Sequence, residues 1–139
     1  MDFLPILAMV ACLAGCAPKG EPLVITSIPW TEDETATYSI QTQAGETLGS
    51  ATISIIQDGD TWVLTNHEVV NNMPDDIKLT VNAKDLKPLS EERTLVIPKG
   101  GSIPEGTWKM SATFSEDKLT VEADTPQGHQ GLAEFKLTE

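Results

Sequence analysis

From Tyr38 onward, apolar and polar residues alternate with a period of two, and each alternating run ends at a turn signal. Tyr38, Ile40 and Thr42 lead to Ala44-Gly45, and Ile53 and Ile55 lead to Asp58-Gly59-Asp60. Trp62 and Leu64 open a run that reaches Val70 and stops at Asn71-Asn72-Met73-Pro74-Asp75. Ile77, Leu79, Val81 and Ala83 then alternate with Lys78, Thr80 and Asn82. Residues 89–97 are interrupted by Glu91, Glu92 and Arg93, which suits an edge or strongly solvated strand. Trp108, Met110, Ala112 and Phe114 alternate with Lys109, Ser111 and Thr113, and Ser115-Glu116-Asp117 turns the chain into Leu119, Val121 and Ala123. Gln127-Gly128-His129-Gln130-Gly131 reads as a loop before a last strand carrying Ala133, Phe135 and Leu137.

No stretch of the body carries a helical stripe with capping residues. Short connections and clean one-sided alternation are the marks of antiparallel hairpins with one wet and one dry face. The pattern predicts an all-β domain over residues 35–139, an antiparallel meander of about eight strands forming a curved sheet or half-barrel. Lys78-Leu79-Thr80-Val81-Asn82-Ala83 is echoed by Lys118-Leu119-Thr120-Val121-Glu122-Ala123, and Thr61-Trp62 by Thr107-Trp108. A duplicated hairpin would explain the echo. The unequal spacings favour the simpler reading that strand chemistry reuses the same residues.

The N-terminus has a different pattern. Residues 3–13 form one apolar run, too short for a bilayer crossing of about 20 residues but suited to the apolar region of a signal peptide. Leu13-Ala14-Gly15-Cys16 follows at once, and then Ala17-Pro18-Lys19-Gly20-Glu21-Pro22, a Pro/Gly tether. Residues 1–15 read as the signal peptide and 16–34 as the modified cysteine and its flexible tether. The opening Met1-Asp2-Phe3 departs from the basic start of a signal peptide and leaves open a start further upstream.

Charge narrows the partners. The 139-residue chain has a formal net charge of -12, and beyond residue 15 it holds 20 acids against 9 bases. Such a field repels phosphate backbones, which excludes nucleic acid, and it repels anionic membrane surfaces. The only cysteines, Cys12 and Cys16, lie outside the body, so neither a disulfide nor a thiolate site is available there.

Catalytic and metal constellations are not evident. His67 falls in a strand and His129 in a loop, with no third histidine or cysteine to complete a zinc site. Asp58-Gly59-Asp60 and Asp75-Asp76 lack the calcium-loop spacing and read as turn residues. Gly100-Gly101-Ser102 lacks the later glycine of a nucleophile elbow. Glu91 and Glu92 are adjacent, so in a strand they point to opposite faces and cannot cooperate. The expectation is a protein without catalytic activity, metal or cofactor.

The remaining signal is aromatic. Trp62, Trp108, Phe114 and Phe135 all fall on the apolar phase of their strands. In a curling sheet, Trp62, Trp108, Met110 and Phe114 would line a concave apolar face suited to a hydrophobic ligand. Ordinary core packing is the alternative, with Trp30 covering the end of the sheet.

Leu13-Ala14-Gly15-Cys16 resembles the lipobox of bacterial lipoproteins, which implies cleavage before Cys16 and a diacylglyceryl thioether on that residue. Over residues 36–123, Tyr38 to Gln57, the Trp62 strand and Val81-x-Ala83-x-x-Leu86-Lys87-Pro88-Leu89 resemble uncharacterised envelope lipoproteins. Their domain is similar to the half-barrels of lipoprotein-localisation factors. The chain ends sooner than the resemblance implies, which leaves open a truncated C-terminus. The resemblance implies a protein of the cell envelope, held to the membrane through Cys16 and facing the periplasm or exterior. Ala17 after the cysteine favours the outer membrane where there are two. A hydrophobic small molecule or an envelope protein is then the expected partner, and a purely structural lipoprotein the alternative. Labelled palmitate should be incorporated into the wild-type protein and not into Cys16→Ser. Absence of label from the wild type would contradict the lipobox.

Overall fold

The computed structural model describes residues 27–137. The expected signal peptide and Cys16, with most of the expected tether, lie outside these residues. The described chain is all-β, with eight strands in one sheet: β1 (Glu34–Gln41), β2 (Thr47–Asp58), β3 (Thr61–Val70), β4 (Met73–Asn82), β5 (Pro88–Ile97), β6 (Gly106–Phe114), β7 (Lys118–Thr125) and β8 (Gly128–Lys136). Their order in the sheet is their order in the chain, and every pairing is antiparallel. The sheet is open, with β1 and β8 as its edges.

Tight turns fix this register. Gly59, with φ of 58°, supplies the left-handed backbone of the two-residue β2–β3 connection. Asn71 and Asn72 do the same between β3 and β4, with φ of 51° and 61°, the conformation that asparagine tolerates best among residues with a Cβ. The turn is therefore shorter than the sequence suggests. Met73, Pro74 and Asp75 belong to β4, paired with Val70, Val69 and Glu68. Gly49 sits where β2 crosses β3 so closely that a Cβ would lie 1.8 Å from the Val69 carbonyl oxygen.

Two further expectations are corrected. Residues 89–97 do not form an edge, because β5 lies between β4 and β6. Its charged residues are tolerated inside the sheet because Glu92 points to the solvated face beside Lys78, whereas Arg93 finds a carboxylate partner on the other. Nor does His129 lie in a loop. β8 begins at Gly128, and a register shift between Glu122 and Asp124 lets His129 pair with Asp124.

Register sorts the side chains into two faces. Trp62 stands opposite Val81, Leu64 opposite Ile55 and Leu79, and Leu95 opposite Trp108. Phe114 faces Leu119, which faces Phe135. These residues share one face, while Ser54, Thr65, His67, Lys78 and Lys109 stand on the other.

The sheet is one layer deep: every substantial strand–strand contact among the described residues is between sheet neighbours. A typical domain closes its core with a second layer. Here Ala51, Trp62, Val81 and Ile97 are the buried apolar residues, between 4 % and 9 % exposed, and no described side chain is completely enclosed.

Candidate functional site

The apolar face is the candidate site. Tyr38, Ile53, Met73, Met110 and Phe135, one each from β1, β2, β4, β6 and β8, remain 37–54 % exposed on it. Together these five side chains leave on the order of 400 Å² of apolar surface in water, spread across the sheet with half-exposed neighbours between them.

The four residues read from the sequence as ligand-lining all lie on this face, but in two separate places. Trp62 is 4 % exposed and packs edge-to-face against Trp30, with ring centroids 5.9 Å apart and planes at 84°. Trp30 thus covers one end of the sheet, as the sequence suggests, and Asp33 Oδ1 ties its segment down by accepting from the Gln57 N–H at 2.8 Å. Trp108, Met110 and Phe114 lie three strands away along β6. Trp108 donates from Nε1 to the Pro104 carbonyl at 3.1 Å, and Met110 stands opposite Arg93 and Ala123.

Between these two places lies a polar island. Arg93 donates from Nε to Asp75 Oδ1 at 2.9 Å and from Nη2 to Oδ2 at 2.6 Å, a bidentate pair in which Asp75 is 20 % and Arg93 36 % exposed. Glu68 is directly opposite Asp75, and Glu91 is two residues from Arg93 on the same face. The Arg93 pKa is raised, first by its hydrogen bonds to Asp75 and against the opposing cost of desolvation. The charges of Asp75, Glu91 and Glu68 raise it further. A raised base keeps its stabilising charge below its ordinary pKa and loses it only as pH climbs past the folded value, so the pair holds through the physiological range. Asn66, beside the island, has a buried Oδ1 with no donor among the described residues.

Sequence reasoning missed this island, because Asp75 reads locally as a turn residue and Arg93 as part of an edge or strongly solvated strand. The signal that finds them is phase. Asp75 lies in step with Ile77, Leu79 and Val81, and Arg93 with Leu95 and Ile97.

Two hollows open on the polar face. One of about 410 Å³ is lined by Thr65, His67, Asp76, Lys78, Glu92 and Thr94. A second, of about 280 Å³, continues from Glu92 and Thr94 to Lys109, Ser111, Glu122 and Asp124. His67 pairs with Asp76 on this face, and His129 with Asp124 at 2.8 Å. No group of three or more His, Cys, Asp or Glu side chains among the described residues is placed to hold a metal ion. Comparison of the chain with protein-family models, with curated proteins and with solved structures finds no match.

Arg93→Met keeps the aliphatic stem and leaves Asp75 half-buried without its partner, flanked by two more acids. It should cost about 1–3 kcal/mol in urea unfolding. The double variant Asp75→Leu/Arg93→Met, which removes both charges, should recover most of that loss. Equal stability of the single variant and the wild type would show that the pair contributes nothing.

Proposed function

We propose that this protein is a non-catalytic binding module of the bacterial envelope, anchored through the lipid on Cys16, whose apolar β face takes a hydrophobic ligand or partner. The observation that carries the reading is the uncovered apolar face. Support for the anchor comes from Leu13-Ala14-Gly15-Cys16 and from the Pro/Gly segment behind it, which would let the sheet stand clear of the membrane. The half-barrel resemblance points the same way, toward an envelope protein that accepts an apolar group on one side of a sheet. The contact of Trp30 with Trp62 favours a second reading, in which the segment before β1 closes the sheet and the protein is a structural or interaction lipoprotein with no ligand.

A fluorescent acyl probe separates the two. An open face binds it, quenches tryptophan emission and raises the unfolding temperature, because a ligand that binds only the folded state must stabilise it. Unchanged emission and an unchanged unfolding temperature at saturating probe would favour the closed sheet.

A further inference from the structure

The two faces of the sheet differ in where their bases stand as well as in polarity. Every strand lysine lies on the polar face: Lys78, Lys109, Lys118 and Lys136. Two of them are paired there, Lys118 with Glu134 at 2.8 Å and Lys78 with Glu92 at 3.7 Å. The apolar face holds four acids, Glu34, Glu68, Asp75 and Glu91, and one base, Arg93, which Asp75 already engages. The polar face holds acids too, Asp58, Asp76, Glu92, Glu122, Asp124 and Glu134, but it stays in water, whereas the surface that must be covered carries Glu34, Glu68 and Glu91 with no base to meet them. Covering it with apolar matter alone would strip water from Glu68 and Glu91 and give them nothing in return.

That requirement selects the occupant. A second copy of this chain laid face to face would bury the unpaired Glu68 and Glu91 of both sheets, four carboxylates near the middle of the contact. An anionic lipid would add negative charge to the same place. A segment bearing lysine or arginine among its apolar residues satisfies both demands. Resting on the binding-module reading above, we infer that the apolar face docks an amphipathic segment of a partner protein whose apolar residues cover Ile53, Leu64, Ile77 and Met110. Two cationic side chains of that segment pair with Glu68 and Glu91 on either side of Arg93. Glu68 and Glu91 are two strands and four residues apart, about 16 Å between Cα atoms. An extended segment places same-face residues four apart in sequence at about 13 Å, within reach of both carboxylates through flexible lysine stems.

The probe is a labelled peptide, Leu-Thr-Lys-Thr-Leu-Thr-Lys-Thr-Leu, titrated against the full chain by fluorescence anisotropy beside the same peptide with glutamine for lysine. The lysine form should bind about ten-fold more tightly, the size expected of two half-exposed charge pairs. Glu68→Gln/Glu91→Gln should reduce that preference to about two-fold or less. Glu116→Gln/Asp117→Asn, which removes two acids from the β6–β7 turn, should leave it intact. Each single variant, Glu68→Gln or Glu91→Gln, should lose part of the preference, so the reading does not depend on the double variant remaining folded. A preference that survives in Glu68→Gln/Glu91→Gln would mean attraction to the overall negative charge, and equal binding of the two peptides would mean purely apolar docking. Either result overturns the inference, as does a face-to-face dimer in sedimentation. Binding of the acyl probe without the peptide overturns the inference and spares the binding-module reading. Binding of neither overturns both.

Discussion

An antiparallel sheet satisfies its own backbone hydrogen bonds strand by strand, but it has no means of covering its own faces. That constraint governs this protein. Seven successive hairpins bring eight strands into register, and the period of two then sends Trp62, Val81, Leu95, Trp108 and Phe114 to one side. In a two-layer domain another sheet or a helix would close over them. Among the described residues the segment around Trp30 covers the end of the sheet near Trp62, and the β5–β6 connection meets Trp108 at Pro104. Stability therefore rests on the ladder, on the tight turns at Gly59 and Asn71-Asn72, and on the few buried side chains, Ala51, Trp62, Val81 and Ile97.

The Asp75–Arg93 pair follows from the same geometry. A charged residue in step with the apolar phase of a central strand cannot turn to the solvated side without shifting the whole register. Arg93 and Asp75 stay on the apolar face and satisfy each other across the β4–β5 pairing, in a bidentate bond that fixes both planes. Glu68 and Glu91 have no such partner there. Both the partial exposure of the face and the negative charge at its centre make a closed, dry core against a second copy costly, and both favour a cover that brings cations with it.

Most of the architecture was legible in the sequence, because hydrophobic periodicity reports which face a residue occupies and the turn residues report where a strand ends. Trp62, Trp108, Met110 and Phe114 share a face as their phase requires. Three places were less legible, each for a local reason. Pro74 and Asp75 carry turn chemistry, but the two-residue turn at Asn71-Asn72 finishes first and β4 takes them in. Arg93 and Glu92 suggest an edge until their cross-strand partners are known. His129 lies among glycines, yet a bulge in β8 at Gln130-Gly131, opposite Ala123, restores its pairing. The separation of the aromatic residues into two places was hidden for a deeper reason. Phase places a residue on a face, but only strand order shows how far Trp62 lies from β6 and what stands between them.

The central claim is that the apolar face is open to solvent, and hydroxyl-radical footprinting of the folded protein tests it most directly. Met73, Met110 and Phe135 should be oxidised at a substantial fraction of their rates in the unfolded chain, while Trp62, beneath Trp30, should be strongly protected. Protection of Met73, Met110 and Phe135 to the same degree as Trp62 would mean that something already covers the sheet, and would contradict the account.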